Sequence, residues 1–298
     1  MDVSIASAPA QASPRTHEVL QPLRQTLPLV ISSPHSGSNY PPQFLAASRL
    51  DPLMLRRSED SFVDEIFACA PDIGAPLLRA LFPRAFVDPN REPYELDPTM
   101  FDAPLPDFAN TRSPRVAAGL GTIAKVVASG AEIYRKKLPL SEALERIRTH
   151  YYPYHRSLND LVEETRRRFG YCILLDCHSM PSSAGGPDGG SHKHRVDFVL
   201  GDCHGTACAR PVLEAATGTL SRAGFRVSRN KPYSGGFVTR HYGRPEEGVH
   251  ALQIEINRAL YMDEARIRRR PGLRKLAAFA PLLLQALAAV PPEALLPE

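Results

Sequence analysis

Leu252-Gln253-Ile254-Glu255-Ile256-Asn257 alternates apolar and polar side chains without a break, the period of a β-strand with one polar face. In this reading Leu252, Ile254 and Ile256 enter a core, while Gln253, Glu255 and Asn257 share the opposite face. Working outward, Cys172 to Leu175 is an apolar run that ends in Asp176-Cys177-His178-Ser179. Leu27 to Ile31, bounded by Pro28 and Pro34, is another and leads into Ser33-Pro34-His35-Ser36-Gly37. Ala85 to Val87 reads as a short strand ending in Asp88-Pro89-Asn90-Arg91, and Val196 to Leu200 as a further one. Between these runs the period changes. Val63, Ile66, Phe67 and Ala70 follow helical spacing, which predicts a helix starting near Ser58 to Asp60, with Asp60 in its first turn. Leu144, Ile147, Tyr151, Tyr154, Leu158, Leu161 and Thr165 mark one face of a long helix, kinked or broken around Pro153. Leu273 to Ala289 reads as a closing helix. Strands interleaved with helices predict an α/β fold: one domain over residues 26–298, with a central mixed β-sheet flanked by helices. Residues 1–25 read as a loose arm, closed by a short segment around Val19 to Leu23.

The 298 residues are 43% hydrophobic and 23% charged, which is globular rather than disordered. Aromatics make up 7% and Trp is absent, which argues against a stacking platform for nucleic acid. No apolar run reaches the length of a membrane span, and no basic-then-apolar leader opens the chain. Cys69, Cys172, Cys177, Cys203 and Cys208 are odd in number and irregularly spaced. That pattern suits a reducing compartment better than a disulfide framework, so a cytoplasmic location is expected. The net charge of +4 is local: Arg266, Arg268, Arg269, Arg270, Arg274 and Lys275 lie within ten positions. Without those six, 30 basic residues face 32 acidic ones. A solvated stretch leading into a helix accounts for them better than a nucleic-acid patch does.

The chemistry concentrates where apolar runs end, the place where open α/β sheets bind ligands. His35 and His178 each follow such a run, and two histidines there can converge on one metal ion with a carboxylate completing the set. Glu255 is an acid within an otherwise apolar strand. It is costly there unless paired, metal-linked or catalytic. A buried ion pair with Arg258 or Arg240 is the structural alternative. His192 and His194 form an H-x-H in a Gly-rich loop, Pro181 to Gly190 and beyond, that reads as a lid with surface histidines. No P-loop, G-x-G-x-x-G or G-x-S-x-G occurs, which argues against nucleotide cofactors and a serine hydrolase.

Taken together, several stretches resemble the N-formylglutamate amidohydrolases. They are Ser-Pro-His-Ser-Gly (33–37), Ser-Glu-Asp-x-Phe-Val-Asp (58–64), Phe-Val-Asp-Pro-Asn-Arg-Glu-Pro (86–93), Asp-Cys-His-Ser (176–179), Asp-Phe-Val-Leu-Gly-Asp (197–202), Gly-Gly-Phe-Val-Thr-Arg-His-Tyr-Gly (235–243) and Leu-Gln-Ile-Glu-Ile-Asn-Arg-Ala-Leu-Tyr-Met-Asp (252–263). The set spans about residues 28–265 in family order. The resemblance implies a fold similar to the zinc carboxypeptidases, of the phosphorylase/hydrolase-like kind. It implies metal-dependent removal of formate from N-formyl-L-glutamate, the last step of one histidine-degradation route. It also implies Zn²⁺ or another divalent metal held by His35 and His178, Glu255 as acid/base, and Asn90 and Arg91 holding a substrate carboxylate. Arg240 matches a second family arginine, for the other carboxylate or the scissile carbonyl. The wider carboxypeptidase pattern places a ligand Glu three residues after the first His, but position 38 is Ser. The third ligand is therefore assigned to Asp60, with Glu59 as the neighbouring fallback. The expected partner is a small N-acyl amino acid, not nucleic acid or membrane; a homo-oligomer is left open. Two rivals stand beside this reading: a related zinc deacylase or carboxypeptidase with another substrate, and a non-catalytic metal- or nucleic-acid-binding protein using the basic cluster.

Overall fold

A computed structural model of the chain describes residues 15–183 and 196–296. Its strands are β1 (His17–Leu20), β2 (Leu29–Ser33), β3 (Leu77–Ala80), β4 (Cys172–Met180), β5 (Phe198–Gly201), β6 (Val227–Arg229) and β7 (Val249–Asn257), which pair in the order β1-β3-β2-β4-β7-β5-β6. β3, β2, β4 and β7 run parallel; β1 is antiparallel to β3, and β5 is antiparallel to β7. The sheet is thus mixed, as expected. Its centre is the pair β4 and β7, nine residues each and buried throughout.

The helices divide between the two faces. Short α1 (Pro42–Ala47) and α2 (Pro52–Arg56) precede α3 (Val63–Ile66), and α4 (Pro114–Ala117) lies in the long loop after β3. α5 (Leu140–Arg146) runs through a π-turn, Ile147–Tyr151, into α6 (Tyr152–Phe169). α7 (Arg210–Arg222), α8 (Phe237–Tyr242) and α9 (Gly272–Ala288) follow. One core joins Leu29, Ile31, Ile173, Leu175, Leu252 and Ile254 to α3, α7 and α9. The other joins Val30, Leu174 and Ala251 to α5, α6 and α8. The pleat sends alternate residues to opposite faces, so each central strand feeds both cores.

At the carboxyl ends the second face changes character. Val30 is followed on that face by Ser32, Leu174 by Asp176 and His178, and Ala251 by Gln253 and Glu255, while the first face stays apolar through Cys177 and Ile256. The parallel register places His178 beside Glu255. A polar floor forms along one edge of the sheet without interrupting the core beneath it.

Several sequence expectations change. His17–Leu20, read as part of a loose arm, is an edge strand, and residues 1–14 lie outside the described residues. Ala85 to Val87 is not a strand but a turn packed under α5, where the Arg146 guanidinium lies 4.2 Å from the Phe86 ring centre. The strand of that region is β3. Its Arg79 side chain pairs with Glu18 and Asp64. α3 begins at Val63 rather than near Asp60, because Phe62 takes a left-handed backbone, φ 70°, that turns the chain. The long helix breaks over Ile147–Tyr151, just ahead of Pro153, whose ring nitrogen cannot donate to the preceding turn. His192 and His194 lie outside the described residues. In the basic cluster Arg266 pairs with Asp263 and Arg269 with Glu65, so part of its charge is neutralised locally. No helix among the described residues is long and apolar enough to cross a membrane.

If β7 feeds the core as described, Ile254→Ala should cost about 2–5 kcal/mol, the range for truncating a buried Ile. Leu282→Ala, on the exposed side of α9, should stay within about 0.5 kcal/mol. Urea unfolding of both variants measures this, and equal midpoints for the two would show that β7 is not a core strand.

Candidate metal centre and active-site cleft

Three elements bring the candidate ligands together. His35 follows β2, His178 lies near the end of β4, and Asp60 precedes α3, its backbone N–H donating to the His35 carbonyl at 3.0 Å. All three are buried. His35 Nδ1 is 3.2 Å from Asp60 Oδ2, His178 Nδ1 is 3.0 Å from the same oxygen, and the two Nδ1 atoms are 3.1 Å apart. Tetrahedral donors at about 2.0–2.1 Å from a zinc ion would be about 3.3 Å from one another, so the triangle is the right size. Two imidazoles and a carboxylate are also the donor types that hold zinc while leaving a position open.

The far sides of these groups are equally specified. His35 Nε2 is 2.7 Å from Asp88 Oδ1, and His178 Nε2 is 3.0 Å from Asp176 Oδ1. Each imidazole thus turns one nitrogen to the triangle and the other to a carboxylate, the arrangement that orients metal-bound histidines. Asp176 Oδ1 is buried and has no well-directed donor, and Asn90 Nδ2 lies 3.0 Å from His178 Nε2. A proton held on Nε2, as Nδ1 ligation requires, is the donor this oxygen lacks. Asp60 Oδ1 accepts from Arg258 Nη2 at 3.1 Å and Ser179 Oγ at 3.0 Å. Burial pushes the Asp60 carboxyl up, but the hydrogen bonds from His178 and His35 outweigh it and hold it well below the usual carboxylate range. Burial likewise opposes charge on His178, yet the Asp176 carboxylate raises its pKa well above the ordinary histidine value. Glu59, the fallback ligand, is taken up by Arg56, Tyr40 and Ser61.

Glu255 sits on the β7 floor beside this triangle. Its Oε1 accepts from Gln253 Nε2 at 3.0 Å, and Gln253 Oε1 in turn accepts from the Gly236 N–H at 2.6 Å. Burial pushes its carboxyl up to about 7, with His178 pulling the other way. Among the described residues no arginine pairs with Glu255. Arg258 is engaged by Asp60, and Arg240 is exposed on α8, outside the cavities that reach the floor. The structure therefore does not bring Arg240 to the other predicted site residues.

Two adjoining cavities, about 350 and 150 Å³, meet at Glu255 and share Arg84, Arg91, Arg115 and Tyr233. Arg91 Nε donates to the Leu120 carbonyl at 2.8 Å and Nη1 to that of Asn90 at 2.7 Å, Nη2 lies 3.7 Å from Asp88 Oδ2, and the residue lines both cavities. Asn90 is more tightly engaged than its predicted substrate role implies, since Oδ1 accepts from the Val238 N–H at 2.7 Å. Gly236 allows this contact, because a Cβ there would overlap the Asn90 amide. Arg84, Arg115, Tyr233, Asp88 and Asp176 were not singled out from sequence. Asp88 and Asp176 did stand within quoted motifs, directly before Pro89-Asn90-Arg91 and Cys177-His178. Arg84 lies in a turn and Arg115 on the one-turn α4, and no period marks either. Tyr151 at the end of the π-turn and His155 on α6 act beneath the cleft: the Tyr151 hydroxyl donates to the Arg91 carbonyl at 2.7 Å, and His155 Nε2 to that of Pro89 at 2.8 Å.

Residues 27–262 match the family model described as N-formylglutamate amidohydrolase. An N-formylglutamate deformylase of Pseudomonas aeruginosa is 32% identical over 83% of this chain and 86% of its own length. One from Pseudomonas putida is 30% identical over 80% and 83%. The crystal structure of N-formylglutamate amidohydrolase from Ralstonia eutropha JMP134 is 37% identical, covers 92% of this chain and 97% of its own, and superposes with a TM-score of 0.85. A gene product of Agrobacterium tumefaciens, Atu2144, shares the fold at 17% identity and a TM-score of 0.66. The chain belongs to the N-formylglutamate amidohydrolase family and is a hydrolase acting on an amide bond.

Proposed function

We propose that the protein hydrolyses N-formyl-L-glutamate to formate and L-glutamate at the cleft above β4 and β7. The observation that carries this reading is the juxtaposition of a three-donor triangle, a buried Glu255 and a set of arginines around one opening. His35, Asp60 and His178 would hold a divalent ion, Zn²⁺ by the donor types. When bound, that ion supplies Lewis acidity, which polarises an amide carbonyl and makes water more acidic.

The chain's own groups account for the remaining requirements. Burial pushes the Glu255 carboxyl up to about 7, toward the range that suits a group that must both take and give a proton. It removes a proton from the water that adds to the formyl carbon, and delivers it to the amide nitrogen as the C–N bond breaks. Formate then leaves, and the amine of glutamate carries the proton. Arg91 and Arg84 set a positive potential across the opening, which favours an anionic substrate and the negative charge that develops on the formyl oxygen. Asp176 and Asp88 orient His178 and His35, and Arg258 with Ser179 fixes the Asp60 carboxylate.

Three measurements test this. Glu255→Gln keeps the shape and the Gln253 contact but cannot accept a proton, so formate release from N-formyl-L-glutamate should fall by about 10²–10⁴ with metal content and melting temperature near wild type. A variant that is destabilised yet turns over normally when folded would remove Glu255 from the mechanism. Elemental analysis of purified variants should show loss of the ion in His35→Ala, His178→Ala and Asp60→Asn, and retention in Glu59→Gln; a full metal equivalent in any of the first three dismisses that residue as a ligand. Arg91→Lys keeps the charge and loses the planar fork, so substrate affinity should drop by an amount worth about 1.5–3 kcal/mol. Unchanged affinity would mean that Arg91 serves only to fasten the loop to Leu120.

A further inference from the structure

Four guanidiniums line the larger cavity, and three of them are committed to the protein. Arg258 is spent on Asp60, Ser179 and the Glu59 carbonyl. Arg84 donates to Asp88 Oδ2 at 2.7 Å. Arg91 gives Nε and Nη1 to backbone carbonyls. Arg115 also lines both cavities, at their exposed rim, and its guanidinium makes no hydrogen bond or ion pair among the described residues. The backbone that carries it is fixed. Ser113 Oγ caps α4 by accepting from the Val116 N–H at 3.0 Å, Val116 is buried, and the Leu120 N–H returns to the Arg115 carbonyl at 2.8 Å. The same turn supplies the Leu120 carbonyl that fastens Arg91, so the two arginines are held on one loop.

The wall of the larger cavity beside Arg115 is aliphatic, built from Leu120, Ala124, Val126 and Ala128. An unengaged guanidinium next to an aliphatic wall complements a short methylene chain that ends in a carboxylate, which a planar fork can grip in bidentate fashion. The charge balance points the same way. Burial lowers the pKa of Arg91, and the positive charges of Arg84 and Arg115 lower it further against the pull of Asp88.

We infer that Arg115 is a specificity-determining residue that reads the side-chain carboxylate of an N-acyl dicarboxylic amino acid, while Arg91 serves the carboxylate nearer the scissile amide. This inference rests on the deformylase reading and adds to it the part of the substrate that is recognised. The test compares N-formyl-L-glutamate with N-formyl-L-glutamine, which has the same shape and lacks only the side-chain charge, in wild type and Arg115→Gln. Wild type should favour the glutamate compound in kcat/KM by about 10–150-fold, the range of one charge-assisted hydrogen-bonded pair. Arg115→Gln should bring that ratio to within a few-fold of one, and Arg115→Lys should restore part of it. A wild-type ratio near one, or a ratio that Arg115→Gln leaves untouched, overturns the inference. If wild type releases formate from neither compound, the deformylase reading fails. Calorimetric affinities of the same two compounds then decide the inference by the same comparison, since the dianion's advantage must still vanish in Arg115→Gln.

Discussion

Two imidazole nitrogens and a carboxylate oxygen within 3.2 Å of one another repel unless a proton or a cation lies among them. His35, Asp60 and His178 are all buried, so bulk solvent does little to screen them. The surrounding groups are arranged to hold the three donors in place regardless. Asp88 and Asp176 stand behind the two histidines, and Arg258 and Ser179 behind Asp60. Charge on each member is sustained by its neighbours, so removing one leaves another buried without compensation, a change that commonly costs about 3–5 kcal/mol. With a divalent ion among the donors, both Nδ1 lone pairs face it and both Nε2 protons face carboxylates. Asp176 Oδ1 then has the donor it lacks.

The sheet makes this possible at no expense to the core. Alternation along β2, β4 and β7 sends Ile31, Cys177 and Ile256 to one face while Ser32, His178 and Glu255 collect on the other. Because β4 and β7 are parallel and in register, His178 and Glu255 become neighbours by pairing alone. The loops then add what the strands cannot. Gly37 lets the segment after β2 press against the backbone near Phe82, where any Cβ would overlap it. That approach carries His35 to Asp88. From below, Tyr151 and His155 hold the Pro89 and Arg91 carbonyls, so the turn with Asp88, Asn90 and Arg91 is supported by a helix.

The features written in short-range patterns were legible in the sequence. Strict alternation over Leu252 to Asn257 located Glu255 and its face, and the polar ends of two apolar runs located His35 and His178. The α/β architecture followed from the change of period between runs. What was hidden depends on contacts far apart in the chain. Ala85 to Val87 is apolar enough to pass for a strand, but its burial comes from α5 and α6 rather than from a sheet neighbour. Leu77 to Ala80 is a real strand of four residues, with Arg79 paired to Glu18 and Asp64, and so carries little signal. Asp60 was expected at a helix start, yet Phe62 turns the chain before the helix begins, and the turn sets Asp60 beside His35 and His178. Arginines gave the least information. Arg240 sits in a distinctive sequence run yet lies outside the cleft cavities, whereas Arg84 lines them from a turn and the exposed Arg115 from the one-turn α4, positions that no periodicity encodes.

The claim that most else depends on is that His35 Nδ1, Asp60 Oδ2 and His178 Nδ1 hold one divalent ion. Anomalous diffraction above and below the zinc edge, from crystals of the protein purified without chelator, tests it most directly. The account predicts one anomalous peak lying about 2.0–2.2 Å from all three atoms, with each Nε2 still facing Asp88 or Asp176. A peak bound instead through the Nε2 atoms, or through Glu59, or absent from this cluster in a protein that retains activity, would contradict it.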